Sequence, residues 1–493
     1  MLRIKKLFVH HWTTAISMWC SIKTRERDGS EKKSRDAEVE RSMENNSGRL
    51  GGGRKAQLPP GPPIVPFITA VQWIGKSISD VERTLRHLSS KYGPIISLGM
   101  NNSKPLIFIT THDLSYQSLV TRGAIFADRP PAPPASRYLS NDQHTISAAP
   151  YGPLRHLLRR NLTFGVLQSS RVNSYAHTRK SVLQNLKNKL KKEAAATGAG
   201  GSICVGLHFQ YAIFCLLVII CFGDDKLDEK TMGDIEKVQR DLPAYQLQYL
   251  RLPEGGRKLS EREIVGLCSE LLNAGTDTTA TTLEWIMANL VKHQDIQLKL
   301  FEEIKGVVQA SSKSGSEMTI QVEDIQKMPY LKAVVLEGLR RHPPGHFVLP
   351  HAVTEDTMLE GYVVPKDAIV HFMIGEMAMD SKVWDNPMEF KPERFLSSSS
   401  NKKNGEIAAA LDIAGSRDIK IMPFGAGRRI CPGLGLAMLH LEYFVANLVM
   451  EFQWACEVGH EVDLSEKQVL TVVMKKPLRA RLLLPGVWIM FHE

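Results

Sequence analysis

The chain alternates between stretches of helical and of two-residue apolar period. Residues 80–91 (DVERTLRHLSSK) place Val81, Leu85 and Leu88 at helical spacing and predict an amphipathic helix. IISLGM (95–100) and PLIFIT (105–110) are short β-like runs separated by NNSK, and predict a hairpin. From about 153 onward helices dominate, at 153–164, 171–193 and 205–222. YAIFCLLVIICFG (211–223) is apolar all round but short for a bilayer, so it predicts a buried core helix. A long helix is expected over roughly 260–290, opened by Ser260 and Glu263 at capping-box spacing. Further helices follow at 294–310 and 330–341, short β-like pieces at 357–371, a polar loop at 397–418, and a last helix from near Gly433 to about Phe452. The fold class is mainly α with small β-sheets (α+β).

One segment breaks the pattern. AGTDTTATT (274–282) lies inside the long helix but carries a glycine and five threonines, a poor helix sequence. Such a conflict between propensity and surroundings marks a candidate functional site.

Composition and charge narrow the class. The formal charge is +10, and residues 1–57 carry +6 of it. That tail is polar, ends in GRLGGGRKAQ, and is expected to be disordered or misassigned. Its first 25 residues hold five Lys/Arg and no acid, faintly resembling a transit peptide; a badly delimited N-terminus explains this equally well. No basic stripe is interleaved with aromatics, which argues against nucleic acid. Seven cysteines with no CxxC pair argue against a disulfide framework or a zinc ribbon and suit a reducing compartment. No run of eighteen apolar residues is present. LPPGPPIVP (58–66) predicts a stiff proline-rich start to the ordered domain, or a plain linker.

FGAGRRICPG (424–433) concentrates candidate chemistry. Glycines there let the backbone close around a sulfur. Positive charge and backbone N–H groups stabilise a thiolate. A following helix would point its dipole at the anion. The stretch reads as a thiolate metal ligand or as a glycine-rich turn with a buried cysteine.

Taken with other motifs, the stretch resembles a known family. F-x-x-G-x-R-x-C-x-G matches Phe424, Gly427, Arg429, Cys431 and Gly433, the haem-binding signature of the cytochrome P-450 haem-thiolate monooxygenases. AGTDTT (274–279), EGLR (337–340), PERF (392–395) and LPPGPP (58–63) match the family's oxygen-activation, E-x-x-R, P-E-R-F and proline-hinge motifs in order. The closest resemblance is to plant microsomal A-type members. It implies one haem-thiolate domain over 58–493. Cys431 would be the axial ligand of haem b, while Asp277 and Thr278 would deliver protons. Glu337, Arg340 and Arg394 would form a supporting network. Arg159, His351 and Arg429 would meet the haem propionates, with Arg155 standing where the family has tryptophan. The implied activity is insertion of one oxygen atom into a small apolar organic substrate, with electrons from NADPH through a flavoprotein reductase. The implied location is the cytosolic face of the endoplasmic reticulum membrane, although no apolar anchor precedes the prolines.

The chain departs from the family pattern internally. AGTDTT begins 53 residues after Cys221 (274 − 221), too few for the family's intervening helices. The lid over the substrate pocket is therefore expected to be truncated near 240–258. A haem-binding but catalytically impaired protein is the alternative reading.

Overall fold

The computed structural model describes residues 57–62, 78–98, 104–133, 137, 140–198, 201–223, 259–311, 320–396, 412–469 and 471–483. The tail 1–56, the expected lid truncation near 240–258 and most of the polar loop (397–411) lie outside the described residues. The chain divides into two units, one of residues 1–137 with 347–376 and one of residues 138–346 with 377–493.

In the first unit, helix α1 (Ile78–Tyr92) lays Val81, Leu85 and Leu88 against Ile96, Leu98, Phe108 and Met373. Strands Ile95–Leu98 and Leu106–Ile109 form the expected antiparallel hairpin, with Ile95 opposite Ile109 and Leu98 opposite Leu106. The second strand pairs in parallel with Ile369–Phe372, which pairs antiparallel with His351–Ala352. The proline-rich segment docks on this sheet, since Ser97 N–H donates to the Pro60 carbonyl at 2.9 Å. A Cβ on Gly61 would sit 1.8 Å from the Ser97 carbonyl oxygen. Only glycine admits that approach, so the segment is a packed element rather than a plain linker.

The second unit is helical. Its long helices are α2 (Pro153–Leu162), α3 (Ala176–Thr197), α4 (Gly206–Phe222), α5 (Glu261–Lys292), α6 (Gln294–Ser311), α7 (Pro329–Arg341) and α8 (Leu434–Glu451). Small antiparallel sheets accompany them: Arg479–Leu483 lies between Ile203–Cys204 and Gln453–Cys456, and Glu466–Gln468 pairs with Val472–Met474. The core joins the inner faces of all these helices. α8 is long and apolar enough to cross a bilayer, but 61% of it is buried within the chain, as befits a core helix.

α5 is the central rod. Ser260 Oγ accepts from Glu263 N–H at 3.3 Å, and Glu263 Oε2 accepts from Ser260 N–H at 2.8 Å, completing the expected capping box. The helix runs unbroken through 274–282. Thr278 Oγ1 donates to the Ala274 carbonyl at 2.6 Å, and Thr282 Oγ1 to that of Thr278 at 2.8 Å. Thr276, Thr279, Thr281 and Thr282 are buried. Tertiary packing thus overrides weak propensity.

α4 lies antiparallel against α5, and the contacts run as a ladder. Gly206 lies beside Glu284, Gln210 meets Asp277, and Leu217 lies against Gly275.

Candidate active site

The cysteine loop precedes α8. Gly425 and Gly427 adopt φ of +68° and +64°, a conformation that costs other residues energy. They turn the chain so that Cys431 N–H donates to the Phe424 carbonyl at 2.9 Å and Ile430 N–H to that of Gly427 at 3.1 Å. Gly433 is the N-cap of α8, and its amide donates to the Cys431 sulfur. Burial pushes the half-buried Cys431 thiol up, while the Gly433 amide and the Arg159 guanidinium oppose that shift.

Guanidinium groups clasp this loop. Arg155 and Arg159, one turn apart on α2, donate to the carbonyls of Arg428 (2.6 Å) and Ile430 (2.5 Å). Arg428 Nη1 donates to the Tyr151 hydroxyl at 2.6 Å. Arg429 donates to the carbonyls of Ile146 (3.2 Å) and Ala149 (2.7 Å). The Tyr151 ring lies beneath Arg155, Arg428 and Arg429, with centroid distances of 5.5, 5.6 and 6.0 Å. Arg155 is 2% exposed, and its Nε has no hydrogen-bond partner among the described residues. Burial and the neighbouring Arg159 lower its affinity for its proton. The acceptors of Arg155, Arg159 and Arg428 in these bonds are neutral. A concentration of positive charge beside a shielded thiol suits an anionic group with a thiolate-binding metal, as haem with its propionates provides.

Asp277 and Thr278 lie mid-way along α5. Asp277 Oδ1 accepts from Gln210 Nε2 at 2.5 Å. Thr278 is committed to the Ala274 carbonyl through its proton, which leaves its oxygen as an acceptor.

Glu337 and Arg340 are both 0% exposed and paired through two bonds, of 2.7 and 2.9 Å. Arg394 Nε reaches Glu337 at 3.1 Å, and Lys391 N–H at 2.9 Å. Arg340 also donates to the carbonyls of Ala378 and Pro387. The three expected network residues are thus in contact.

His351 belongs to the first unit. It is buried, and its Nδ1 lies 2.6 Å from the Phe126 carbonyl, which places a proton on Nδ1. Donation to a propionate through Nε2 therefore requires the doubly protonated ring.

Sequence reasoning missed Gln210, Tyr151 and Glu270. Glu270 accepts from Ile146 N–H and Ser147 N–H, both at 2.7 Å, and so ties α5 to the segment that receives Arg429. Tyr151 could have been found, because it opens the YGPLR stretch that carries Arg155. Gln210 and Glu270 carry no local signal.

The family model for cytochrome P450 matches residues 59–245 and 225–484. The chain is 42% identical to cytochrome P450 89A9 of Arabidopsis thaliana, over 86% of this chain and 93% of that protein. It is 29% identical to isoflavone 3'-hydroxylase of Medicago truncatula, over 88% and 93% of the two chains. A zebra fish cytochrome P450 solved with progesterone superposes with a TM-score of 0.66 at 22% identity, over 82% of this chain and 99% of that one. That likeness concerns the fold. The reading of a catalytically impaired product draws no support from these relatives. The site's binding chemistry is that of haem held by a cysteine thiolate, and the chain belongs to the cytochrome P450 family of haem monooxygenases.

Proposed function

We propose that this chain inserts one atom of dioxygen into a small apolar organic substrate, taking electrons from NADPH through a flavoprotein reductase. The observation that carries the reading is the cysteine loop, where a half-buried thiol receives the Gly433 amide beneath a group of arginines. Plant relatives with printed activities support the substrate class, among them isoflavone 3'-hydroxylase, flavonoid 3'-monooxygenase and carnosic acid synthase.

When bound, haem supplies the reduction of dioxygen and the transfer of one oxygen atom to substrate. Cys431 would hold the haem iron through its sulfur, ionised on binding. The Gly433 amide and Arg159 temper the electron donation of the sulfur. Arg159 and Arg429 are assigned to the propionates, and Phe424 and Gly433 shape the loop. Asp277 is assigned to move protons inward, with Thr278 Oγ1 as the acceptor that positions a water. Gln210 fixes Oδ1 of Asp277 and so orients the carboxylate. Glu337, Arg340 and Arg394 hold the chain that leads into the cysteine loop. The membrane surface of the endoplasmic reticulum is the proposed site of action, by likeness to plant relatives.

The test is expression with a reductase and NADPH. The reduced carbon-monoxide spectrum should show the thiolate-type band, and Cys431→Ala should abolish it. A variant that keeps the band would sink the assignment of Cys431. NADPH use that no apolar plant metabolite stimulates would sink the proposed activity.

A further inference from the structure

The ladder of contacts between α4 and α5 brings two cysteines together that no catalytic role requires. Along α4, Gly206, Gln210 and Leu217 face residues of α5 whose numbers fall from Glu284 through Asp277 to Gly275. Continued to the last turn of α4, that register sets Cys221 opposite Cys268. Both are buried, at 8% exposure each, and both line one cavity of about 260 Å³. The cavity wall also carries Leu162, Tyr175, Thr178 and Leu267.

We propose that Cys221 and Cys268 are a modification site, a dithiol that hydrogen peroxide converts to a disulfide joining α4 to α5. The thiols share a hydrogen bond, which holds Cys268 below the usual thiol range and raises Cys221. Either thiol can attack while the other resolves, and the balance is the same with the roles exchanged. Cys268 sulfur attacks one peroxide oxygen, the O–O bond breaks, and a sulfenic acid and one water result. Cys221 sulfur then attacks the sulfenic sulfur, the S–O bond breaks, and a second water leaves carrying the Cys221 proton. Two thiols are oxidised and one peroxide is reduced to two waters. The cavity gives a molecule of peroxide's size a path to sulfurs that are otherwise enclosed. The cross-link fixes the end of α4 to the helix that carries Asp277 and Thr278.

The test uses the full-length holoprotein and does not depend on turnover. The protein is titrated with hydrogen peroxide, quenched by alkylation, and mapped as peptides without reduction. The expected result is loss of two free thiols per chain, one cross-linked peptide joining Cys221 to Cys268, and its disappearance on reduction. Either serine variant should lose the cross-link and stop at a sulfenic acid on the remaining cysteine. Each serine variant is checked for an unchanged reduced carbon-monoxide spectrum, so misfolding is visible separately. Both thiols remaining alkylatable in peroxide, independent oxidation of either one, or pairing with another cysteine would each overturn the proposal.

Discussion

Arg159 Nη1 lies 2.5 Å from the carbonyl oxygen of Ile430, the residue immediately before the candidate iron ligand. The family resemblance assigns Arg159 to a propionate. The geometry shows that the same guanidinium also holds the backbone that presents Cys431. One side chain with five donors can serve both.

Arg159→Ala removes a charge-assisted bond worth roughly 1.5–3 kcal/mol. It should speed haem loss about 10- to 100-fold, measured by transfer to an excess of an apo haem acceptor. Arg159→Lys should recover part of the loss, since lysine keeps the charge but not the planar fork. Equal haem retention in all three proteins would show that the contact is idle.

Thr278→Ala should leave the carbon-monoxide band in place and raise the hydrogen peroxide formed per NADPH. Unchanged coupling would remove Thr278 from proton delivery. Gln210→Leu tests the orientation of Asp277 independently. It strips a donor from a carboxylate oxygen at a cost of about 1–3 kcal/mol, and should lower coupling without shifting the band.

Glu337→Ala leaves Arg340, which is 0% exposed, without its carboxylate. Breaking a buried pair on one side costs about 3–5 kcal/mol. The expected outcome is a lower urea midpoint and poor haem incorporation. A midpoint within error of the parent would show that the carbonyls of Ala378 and Pro387 satisfy Arg340 alone.

Acid should destabilise the chain through three buried histidines. Burial lowers His342 to about 4, His371 to about 4 and His440 to about 3. Unfolded histidine titrates near 6.5. Below that value the unfolded chain binds protons that the folded chain refuses, so stability falls with pH until the folded values are reached. At pH 5 each histidine contributes a loss of about 2 kcal/mol. Glu466, held to about 2 by His342 and His346, adds its own loss as the pH drops below the ordinary carboxylate range. Urea unfolding followed from pH 8 to pH 5 checks the histidine contribution, and His440→Phe should flatten the curve. A midpoint independent of pH below 6.5 would contradict it.

The elements were legible because their causes are local. Helical spacing of Val81, Leu85 and Leu88, the Ser260–Glu263 cap and the alternating runs at 95–98 and 106–109 are set by nearest neighbours along the chain. The cysteine loop was legible for a related reason, since Gly425, Gly427, Cys431 and Gly433 lie within nine residues and their spacing reports the turn they make. Local propensity misjudged 274–282, where burial of threonines against other helices outweighs a cost of a few tenths of a kcal/mol per residue.

What tertiary structure decided is everything that depends on partners far apart in sequence. Nothing near Asp277 points to Gln210, 67 residues away, and nothing near Ile430 points to Arg159, 271 residues away. The docking of Pro60 and Gly61 on Ser97 was open between a packed element and a linker until a sheet stood beside it. The sequence by itself determined which residues could carry a thiolate, a proton or a buried charge. Packing determined which of them meet, because a hydrogen bond needs its donor and acceptor within about 3 Å, and only the folded chain brings distant residues that close.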